Sequence, residues 1–227
     1  MAPAPFSFVI PTLNEADSIA QLLTVLRSAY PRAELVVVDG GSSDATCTLA
    51  QPRCDRLLHS PPGRARQMNL GLESASGQYL FFLHADSQPS VTAQALAAYL
   101  QAQPQWGFCR VQLSGDEQVF RLISAFINGR STLTRVATGD QMLFFRREFL
   151  RQEGGFDDIP LMEDVAISKR LRRLAPPLVI SEPVTTSSRR WREAGVVKTI
   201  INMWALRLAY FLGASPHRLW RHYYGGS

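Results

Sequence analysis

Two segments of this 227-residue chain carry residue types that could hold a nucleotide. The segment Pro11–Glu15 follows a short apolar run, and a glycine-rich turn begins at Asp39 after a second apolar run and ends at Asp44. An acid at the tip of the second strand of a βαβ unit is placed to accept hydrogen bonds from a ribose or from a base N–H group. For Ser43 and Asp44 the plainer interpretation is a cap of the following helix.

A third segment, His84-Ala85-Asp86, follows an apolar strand predicted over Tyr79–Leu83. Carboxylate oxygen is a preferred ligand of Mg²⁺ and Mn²⁺, and such an ion would bind jointly with the phosphates of a substrate. A polar loop that caps the next helix is the alternative. The sequence has neither G-x-G-x-x-G after its first strand nor G-x-x-x-x-G-K-[ST], so another group must neutralise a phosphate.

Two adjacent acids, Glu163 and Asp164, begin a predicted helix. The helix dipole at this end favours an ionised carboxylate, which could act as a weak base. The same dipole favours an acidic first turn that has no catalytic role. The pair is therefore a candidate for catalysis only together with the other segments.

The candidate segments need a scaffold that brings them together, and apolar runs that alternate with helical periods provide one. Strands are predicted over residues 6–10, 35–38, 56–58 and 79–83, and helices over 16–29, 44–50 and 64–74. Continuous apolar strands separated by helices indicate an α/β fold whose mostly parallel sheet is covered by helices on both faces. Ligands of such a sheet bind at the carboxyl ends of its strands, where the three segments lie.

The second half of the chain is predicted to add strands over 108–113, 142–145 and 178–181, and helices over 119–133 and 163–174. We predict one domain over residues 1–187 and a helical extension over 188–227. In the extension, Val196–Leu212 is apolar along one helical face but is interrupted by Lys198 and Arg207. Since about 20 clean apolar residues are needed to span a bilayer, this helix could instead pack on the domain, form a dimer seam or lie on a membrane surface.

The composition indicates a globular protein that stays where it is made. A hydrophobic content of 46% excludes a disordered chain, and Met1–Phe6 lacks the cationic stretch and apolar run of a secretory signal. The three cysteines have neither metal-binding nor redox spacing, which favours reduced thiols in the cytoplasm. The net charge of +5 is concentrated in residues 189–221, which could meet nucleic acid, anionic lipid or a phosphorylated substrate.

Taken in chain order, these segments resemble the family 2 glycosyltransferases. The likeness covers about residues 6–175, and it rests on Pro11–Glu15, Val37–Thr46, Gly63–Gly71, Ser76–Asp86, Gly154–Asp157 and Glu163–Asp164 with Arg170. Ordered motifs are far more specific together than singly. With residues 139–146 included, the pattern looks like a small bacterial subgroup labelled arsenosugar-biosynthesis glycosyltransferase.

The resemblance implies a GT-A fold, a nucleotide-diphosphate sugar as donor, an Mg²⁺ or Mn²⁺ ion and inverting transfer to an acceptor hydroxyl. Uridine is the expected nucleoside. Asp39 would read the base, Asp164 would be the catalytic base, and Asp86 would bind the metal as the last acid of a D-x-D motif. The first acid of that motif is His84 here, which could bind the ion when neutral or hydrogen-bond the ribose or the sugar.

Two further segments could contact the donor or the acceptor. Gly139–Gln141 precedes a predicted strand and could present Asp140 or Gln141 to the sugar, or form a plain turn. Ser187–Trp191 is partly similar to the Q-x-x-R-W element of processive relatives, and its last two residues could clamp a diphosphate or an acceptor ring. The predicted donor-site residues are Pro11, Thr12, Asn14, Glu15, Asp39, Gly40, Ser42, Asp44, Arg64, Asn69, His84, Ala85, Asp86, Gln141, Glu163, Arg190 and Trp191.

Two other classes of protein compete with this interpretation. A nucleotidyltransferase that makes a nucleotide sugar would need a glycine-rich phosphate loop with Lys or Arg after the first strand, and Pro11–Glu15 does not provide one. A non-catalytic module would bind a sugar nucleotide or a membrane without turnover. For a glycosyltransferase we expect small-molecule partners, no nucleic acid and a cytoplasmic location. The extension could contact the inner face of the membrane peripherally through residues 196–212, or it could form a homodimer.

Overall fold

The computed structural model describes residues 5–225, with the side chains of Arg190 and Ala194 left aside. Within these residues the chain forms eight strands and ten α-helices. The strands are β1 (Phe6–Thr12), β2 (Glu34–Asp39), β3 (Arg56–His59), β4 (Tyr79–Phe82), β5 (Ser87–Pro89), β6 (Trp106–Leu113), β7 (Phe144–Arg146) and β8 (Leu178–Thr186). The helices of the first 175 residues are α1 (Ile19–Ala29), α2 (Thr46–Ala50), α3 (Arg64–Ser74), α4 (Ala93–Leu100), α5 (Gln118–Thr134), α6 (Arg147–Gln152) and α7 (Glu163–Leu171), with a 3₁₀ turn at Gly139–Gln141. The helices α8 (Arg189–Ala194), α9 (Val196–Phe211) and α10 (Pro216–Tyr224) follow β8.

The strands form one sheet in the order β3-β2-β1-β4-β7-β6-β8-β5. The first four are mutually parallel, as predicted, whereas β7 runs antiparallel between β4 and β6, and β5 runs antiparallel to β8. The α/β class is confirmed, and the sheet is mixed. Because β1, β2 and β4 are parallel, the segments that follow Thr12, Asp39 and Phe82 emerge at the same edge of the sheet.

Both faces of the parallel strands are buried under helices. Alternate residues of β1 enter two separate hydrophobic clusters: Phe8 packs with residues of α1, and Val9 packs with residues of α3. Gly71 allows α3 to lie close on the sheet, since a Cβ atom there would be 2.2 Å from a methyl group of Val9. This two-sided burial explains why the strand residues form continuous apolar runs in the sequence.

Several elements differ from the sequence-based expectation. Helix α1 begins at Ile19 rather than at residue 16, because the preceding residues form a hydrogen-bonded loop. Strand β8 continues to Thr186 rather than ending at residue 181, since it pairs with both β6 and β5 and accommodates an irregularity opposite Cys109. The short elements β5, α6 and α8 and the helices α4 and α10 were not predicted.

The extension contacts the domain through one face of α9. Ile200 and Met203 pack against a small cluster that includes Phe120 of α5 and Trp191 of α8. The rest of the apolar surface of this helix is exposed, with Val197, Ile201, Trp204, Leu208, Phe211 and Leu212 all more than half exposed. Over the described residues, no helix combines the length and the apolar character needed to cross a membrane.

Candidate active site

The loops that follow β1 and β2 are joined by hydrogen bonds at the sheet edge. The Asn14 N–H donates to Ser42 Oγ (2.8 Å), and Asn14 Oδ1 accepts from the Ser43 N–H (2.9 Å). The Glu15 N–H donates to Thr46 Oγ1 (2.7 Å). Asn14 adopts a left-handed backbone with φ of 55°, a conformation that asparagine tolerates better than most residues. The two segments singled out in the sequence therefore form one rim.

Asp39 lies buried at the tip of β2, and its carboxylate organises the glycine-rich turn. Its Oδ2 accepts hydrogen bonds from the N–H groups of Gly41 (2.9 Å) and Ser42 (2.8 Å), and its Oδ1 accepts from Thr12 Oγ1 (3.3 Å). Burial alone would raise the pKa of Asp39, but the hydrogen bonds from Ser42 and Gly41 outweigh it and hold the pKa below its usual value. The carboxylate is thus ionised at neutral pH and stands ready to accept further N–H groups.

Asp44, at the end of the same turn, is engaged with the protein itself. Its Oδ2 accepts from the Ala16 N–H (3.1 Å), and its Oδ1 accepts from the N–H of Thr46 (2.9 Å). The hydrogen bonds from Thr46 lower the pKa of Asp44. Asp44 thus ties the start of α2 to the first loop, although the N-cap residue of α2 is Ala45 and not Asp44.

Gln67, to which the sequence analysis gave no role, braces the two strand ends from α3. Its Nε2 donates to the carbonyl oxygens of Thr12 (2.7 Å) and Val38 (2.8 Å), and the side chain is almost wholly buried. A Cβ atom on Gly40 would lie 3.0 Å from this side chain, so glycine lets the turn pass over it. Gln67 falls on the buried face of an otherwise polar helix, which was the available sequence signal.

We expect Gln67→Leu to destabilise the protein by about 1–3 kcal/mol, because it removes two hydrogen bonds to buried carbonyl groups, of which the Thr12 carbonyl keeps the Gly40 N–H as a donor. At about 2–4 °C per kcal/mol for a chain of this length, the melting temperature should fall by roughly 2–12 °C. Thermal unfolding followed by circular dichroism measures the change. Gln21→Leu, on the exposed face of α1, is the matched control and should shift the transition by less than about 2 °C. Equal shifts in the two variants would contradict this role of Gln67.

His84 is held between Arg64 and Asp140. Its Nε2 lies 3.0 Å from Arg64 Nη1, and its Nδ1 lies 3.4 Å from Asp140 Oδ1. Because a guanidinium group only donates hydrogen bonds, Nε2 is the acceptor and Nδ1 carries the hydrogen that faces the carboxylate. Both ring nitrogens are therefore engaged by the protein. In this arrangement His84 orients Arg64 and is not free to be a metal ligand.

Asp86 presents an exposed carboxylate next to Glu15. Its nearest hydrogen-bond partner is Ser87 Oγ, at 3.2 Å from Oδ1. Burial raises the pKa of Glu15, a hydrogen bond from Ser18 lowers it, and the charge of Asp86 raises it again, so the two acids interact electrostatically. A single carboxylate beside a donor's phosphates is a donor set that suits Mg²⁺ or Mn²⁺. The residues present at Asp86 thus fit a divalent ion that is shared with a diphosphate.

Glu163 and Asp164 form the first turn of α7 and face Arg64. Asp164 Oδ2 accepts a hydrogen bond from the Gly139 N–H (2.7 Å), and Oδ1 accepts one from the Val165 N–H (2.7 Å). Burial raises the pKa of Asp164 despite these bonds. Burial likewise raises the pKa of Glu163, which the charge of Asp164 raises further and that of Arg64 opposes. A raised pKa makes Asp164 a stronger base than an exposed aspartate.

Because the pKa of Glu163 is higher in the folded than in the unfolded chain, its contribution to stability is present at low pH and is lost as pH rises through the folded value. We expect Glu163→Gln to raise the melting temperature at pH 8 by about 2–6 °C and to have little effect at pH 4. Thermal unfolding between these pH values measures the difference. Glu193→Gln, at an exposed position of α8, should change the transition at neither pH. A stabilisation that is independent of pH would contradict the explanation.

Some predicted donor-site residues serve the scaffold instead. Gln141 is wholly buried, and its Oε1 accepts from Ser131 Oγ (2.7 Å), so the prediction that it reaches a sugar is wrong. Asn69 uses its amide to hold the main chain of Phe156, with both hydrogen bonds at 2.8 Å. A motif match fixes the position of a residue in the chain but not the direction of its side chain.

Pro11, Ala85 and Trp191 were also predicted to contact the donor, but their side chains are buried. The side chains of Pro11 and Ala85 are buried, so only their main-chain atoms can face a ligand. Trp191 is buried against Phe120. Arg190 lies in α8, and its side chain is outside the described part of the structure. Arg189, the neighbour of Arg190, is exposed. Burial raises the pKa of Glu15, and the charge of Arg189 is one of the influences that lower it.

A group of possible metal ligands at the far end of the rim was not predicted. The carboxylate of Asp39, the thiol of Cys47 and the imidazole of His59 have one ligand atom each within 4.8 Å of one another. Burial raises the pKa of Cys47, and the Asp39 charge raises it further. The Asp39 oxygens of this group already accept several hydrogen bonds from the protein.

Comparisons with known proteins agree with this geometry. Residues 7–152 match the family model described as Glycosyl transferase family 2. An uncharacterized glycosyltransferase of Mycobacterium tuberculosis is 30% identical, over 82% of this chain and 73% of the relative. The chain belongs to the family 2 glycosyltransferases and is thus an enzyme of the glycosyltransferase class.

Two solved structures share the fold. TarS of S. aureus, residues 1–349 in complex with UDP-GlcNAc, has a TM-score of 0.63 at 19% identity over 80% of this chain. The mannosyltransferase PcManGT of Pyrobaculum calidifontis, in complex with GDP-Man and Mn²⁺, has a TM-score of 0.63 at 21% identity over 92% of this chain. This chain spans 58% of the first structure's length and 62% of the second's. The GT-A fold is confirmed.

Proposed function

We propose that the protein transfers a sugar from a nucleotide-diphosphate sugar, with UDP as the expected nucleotide, to an acceptor hydroxyl with inversion and with the help of Mg²⁺ or Mn²⁺. One observation carries the proposal. Three carboxylates with different environments, Asp39, Asp86 and Asp164, come together at one edge of the sheet. Asp39 ends one parallel strand at that edge and Asp86 follows another, and Asp164 is connected to it because it accepts a hydrogen bond from Gly139, whose neighbour Asp140 contacts His84. Such an array offers a nucleoside contact, a metal contact and a base, which are the parts that the reaction needs.

The nucleoside end of the site is the turn at Asp39. Its ionised carboxylate would accept an N–H group of the base, as expected from its lowered pKa and rigid hydrogen bonds. The structures of relatives in complex with UDP-GlcNAc and GDP-Man support a nucleotide sugar as donor, and they leave the choice of base to experiment.

The diphosphate end would lie between Asp86 and Arg64. A divalent ion held by Asp86 would neutralise the charge that develops on the departing nucleoside diphosphate. Arg64, oriented by His84, would donate hydrogen bonds to the phosphates from the opposite side. The Mn²⁺ in the mannosyltransferase structure supports a metal-assisted reaction.

The acceptor end would be at Asp164. The Gly139 and Val165 N–H groups fix this carboxylate, and its raised pKa suits the removal of a proton from a hydroxyl. Attack from the side of Asp164, opposite the diphosphate, produces inversion at the anomeric carbon. Asp164 would take the proton as the new carbon–oxygen bond forms.

A thermal-shift titration tests the donor assignment. Millimolar UDP or GDP with Mn²⁺ should raise the melting temperature by several degrees, as a ligand at 100 times its Kd adds about 2.7 kcal/mol. No shift with either nucleotide would reject the proposal. Donor binding together with unchanged activity in Asp164→Asn would favour the non-catalytic module, and formation of pyrophosphate from a sugar phosphate and UTP would favour the nucleotidyltransferase.

We also propose a location for the protein in the cell and a subgroup to which it belongs. We expect a domain over residues 1–187 that acts in the cytoplasm on small molecules, without nucleic acid. The exposed apolar face of α9 is suited to the inner surface of a membrane or to a homodimer. Membership of the subgroup labelled for arsenosugar biosynthesis stays a prediction.

A further inference from the structure

A largely apolar cavity of about 750 Å³ lies beside Asp164, between α5, α7 and α9. Its wall includes Val165, the residue after Asp164, and the two residues that flank Gly139, namely Thr138 and Asp140. The N–H group of Gly139 donates a hydrogen bond to Asp164 Oδ2 (2.7 Å). Asp164 is not itself part of the lining, but its neighbours are, so one end of the cavity lies next to the carboxylate that would activate the acceptor.

Electrostatic interactions also link the cavity wall to that carboxylate. Burial raises the pKa of Tyr210, a wall residue of α9, and the charges of Asp157 and Asp164 raise it further. Burial lowers the pKa of Arg130, a wall residue of α5, and the charge of Asp164 opposes that change.

The side walls come from facing apolar side chains of α5 and α9. Ile123, Phe126 and Ile127 of α5 face Met203, Trp204 and Leu208 of α9, and the rings of Phe126 and Trp204 are 5.4 Å apart. Phe126, Trp204 and Leu208 are each more than half exposed, so the cavity opens onto apolar surface. Contiguous exposed apolar surface of this kind marks a site of interaction or ligand binding.

The same cavity is lined by four cations and one acid. The cations are Arg130, Lys169, Arg172 and Arg207, and the acid is Asp140. Among the described residues, none of the four cations has a carboxylate oxygen within 4.0 Å. An apolar cavity with an excess of positive charge complements a ligand that has an apolar chain and an anionic group.

We propose that the acceptor of this enzyme is an anionic amphiphile whose apolar chain occupies the cavity between α5 and α9 and whose hydroxyl lies at Asp164. The inference rests on the proposed function, since it names the acceptor class of that same site. In the transfer, the acceptor hydroxyl gives its proton to Asp164 and its oxygen bonds to the anomeric carbon. The bond from that carbon to the phosphate oxygen breaks, and its electron pair leaves with the nucleoside diphosphate.

Binding of n-alkyl phosphates tests this acceptor class without requiring turnover. Ethyl, hexyl and decyl phosphate, each below its micellar concentration, are titrated while tryptophan fluorescence is followed, since Trp191 and Trp204 line the cavity. We expect the affinity to rise by up to roughly fourfold for each methylene that enters the cavity. Decyltrimethylammonium, with the same chain but a positive group, should bind at least tenfold more weakly than decyl phosphate. Affinity that is independent of chain length, or equal for the two head groups, would overturn the inference.

A pair of variants on one helix locates the bound chain. Leu208 and Ile201 of α9 are equally exposed, at 60% and 62%, but only Leu208 lines the cavity. Leu208→Asp should weaken decyl phosphate binding at least tenfold, and Ile201→Asp should change it less than twofold. Equal losses in both variants would put the ligand on the open face of α9 and overturn the inference.

Nucleotide binding by the unaltered protein separates this inference from the proposed function. If UDP or GDP binds with Mn²⁺ but alkyl phosphates show no dependence on chain length, the donor assignment stands and the acceptor class is wrong. If alkyl phosphates bind as expected but neither nucleotide binds, the proposed function fails, and the acceptor role of the cavity fails with it.

Discussion

Replacing Asp164 by Asn should lower the rate of sugar transfer by about 10²–10⁴-fold while leaving donor binding nearly unchanged, because general bases contribute accelerations of this size. The amide has nearly the same shape as the carboxylate and keeps an oxygen that can accept the Gly139 N–H, so the fold should be retained. It cannot take a proton from a hydroxyl. Steady-state kinetics and a UDP titration of the same preparation measure the two quantities.

The pH dependence of activity in the unaltered enzyme tests independently whether Asp164 acts as a base. Asp164 acts as a base only when ionised, so activity should fall as pH falls through its pKa. Since burial raises that pKa, the acidic limb should lie above the range near 3.9 that is usual for aspartate. The residual activity of Asp164→Asn should lack this limb.

Asp158→Asn is the matched control for this substitution. Asp158 is exposed, forms an ion pair with Arg66 at 3.0 Å and has no contact with the site. Its replacement should leave kcat within about twofold. Equal activity of the Asp164 and Asp158 variants would show that Asp164 is not the base.

Asp86→Ala has the second largest expected effect. Because metal ions stabilise transition-state charge by several kcal/mol, we expect the metal-dependent part of kcat to fall by about 10²–10³-fold. The thermal shift that UDP produces should lose its Mn²⁺-dependent increment. Both quantities are measured with and without a chelator, and Asp86 is exposed, so the fold should tolerate the change.

Asp17→Ala controls for loss of charge at this end of the sheet. Asp17 is an exposed acid in the loop between β1 and α1, close in the chain to Glu15. Its removal should leave metal dependence unchanged. An Asp86 variant that keeps full stimulation by Mn²⁺ would reject Asp86 as the metal contact, and with His84 already held by Arg64 and Asp140 the proposed ion would then have no ligand in this segment.

Much of the parallel half of the fold could be predicted, because strands that are buried on both faces have continuous apolar runs in the sequence. Strands β1, β2 and β4 and helix α3 were found at or near their observed bounds. The three-residue strand β5 was missed, since it is too short to show a period, and the end of β8 was missed because Pro183 resembles a loop residue. The presence of β5 and the end of β8 both depend on pairing with distant strands, which cannot be predicted from the local sequence.

The position of the candidate site was predictable, whereas its internal contacts were not. The rule that ligands bind at carboxyl ends of parallel strands brought Asp39 and Asp86 to one edge. The sandwiching of His84 between Arg64 and Asp140 depends on contacts across 20 and 56 positions of the chain. The same limit applies to Gln141, whose hydrogen bonds point into the core.

The helical extension shows what an apolar periodicity in the sequence can predict and what it cannot. The apolar face of Val196–Leu212 was recognised, and packing on the domain is the commoner fate of such a face. In the structure, much of that face is exposed, and Ile200 and Met203 make the packing contacts. Helical periodicity identifies an apolar face but not what covers it, and here the face borders the cavity that we assign to the acceptor.

Release of nucleoside diphosphate from a panel of UDP- and GDP-sugars with Mn²⁺ tests the central claim most directly, because slow hydrolysis of the donor needs no knowledge of the acceptor. We predict that the purified protein releases UDP, or failing that GDP, from one sugar of the panel. Release should stop on chelation of the metal and be nearly absent in Asp86→Ala. A folded protein that releases neither nucleotide from any donor, or that does so equally well without metal, would contradict the account.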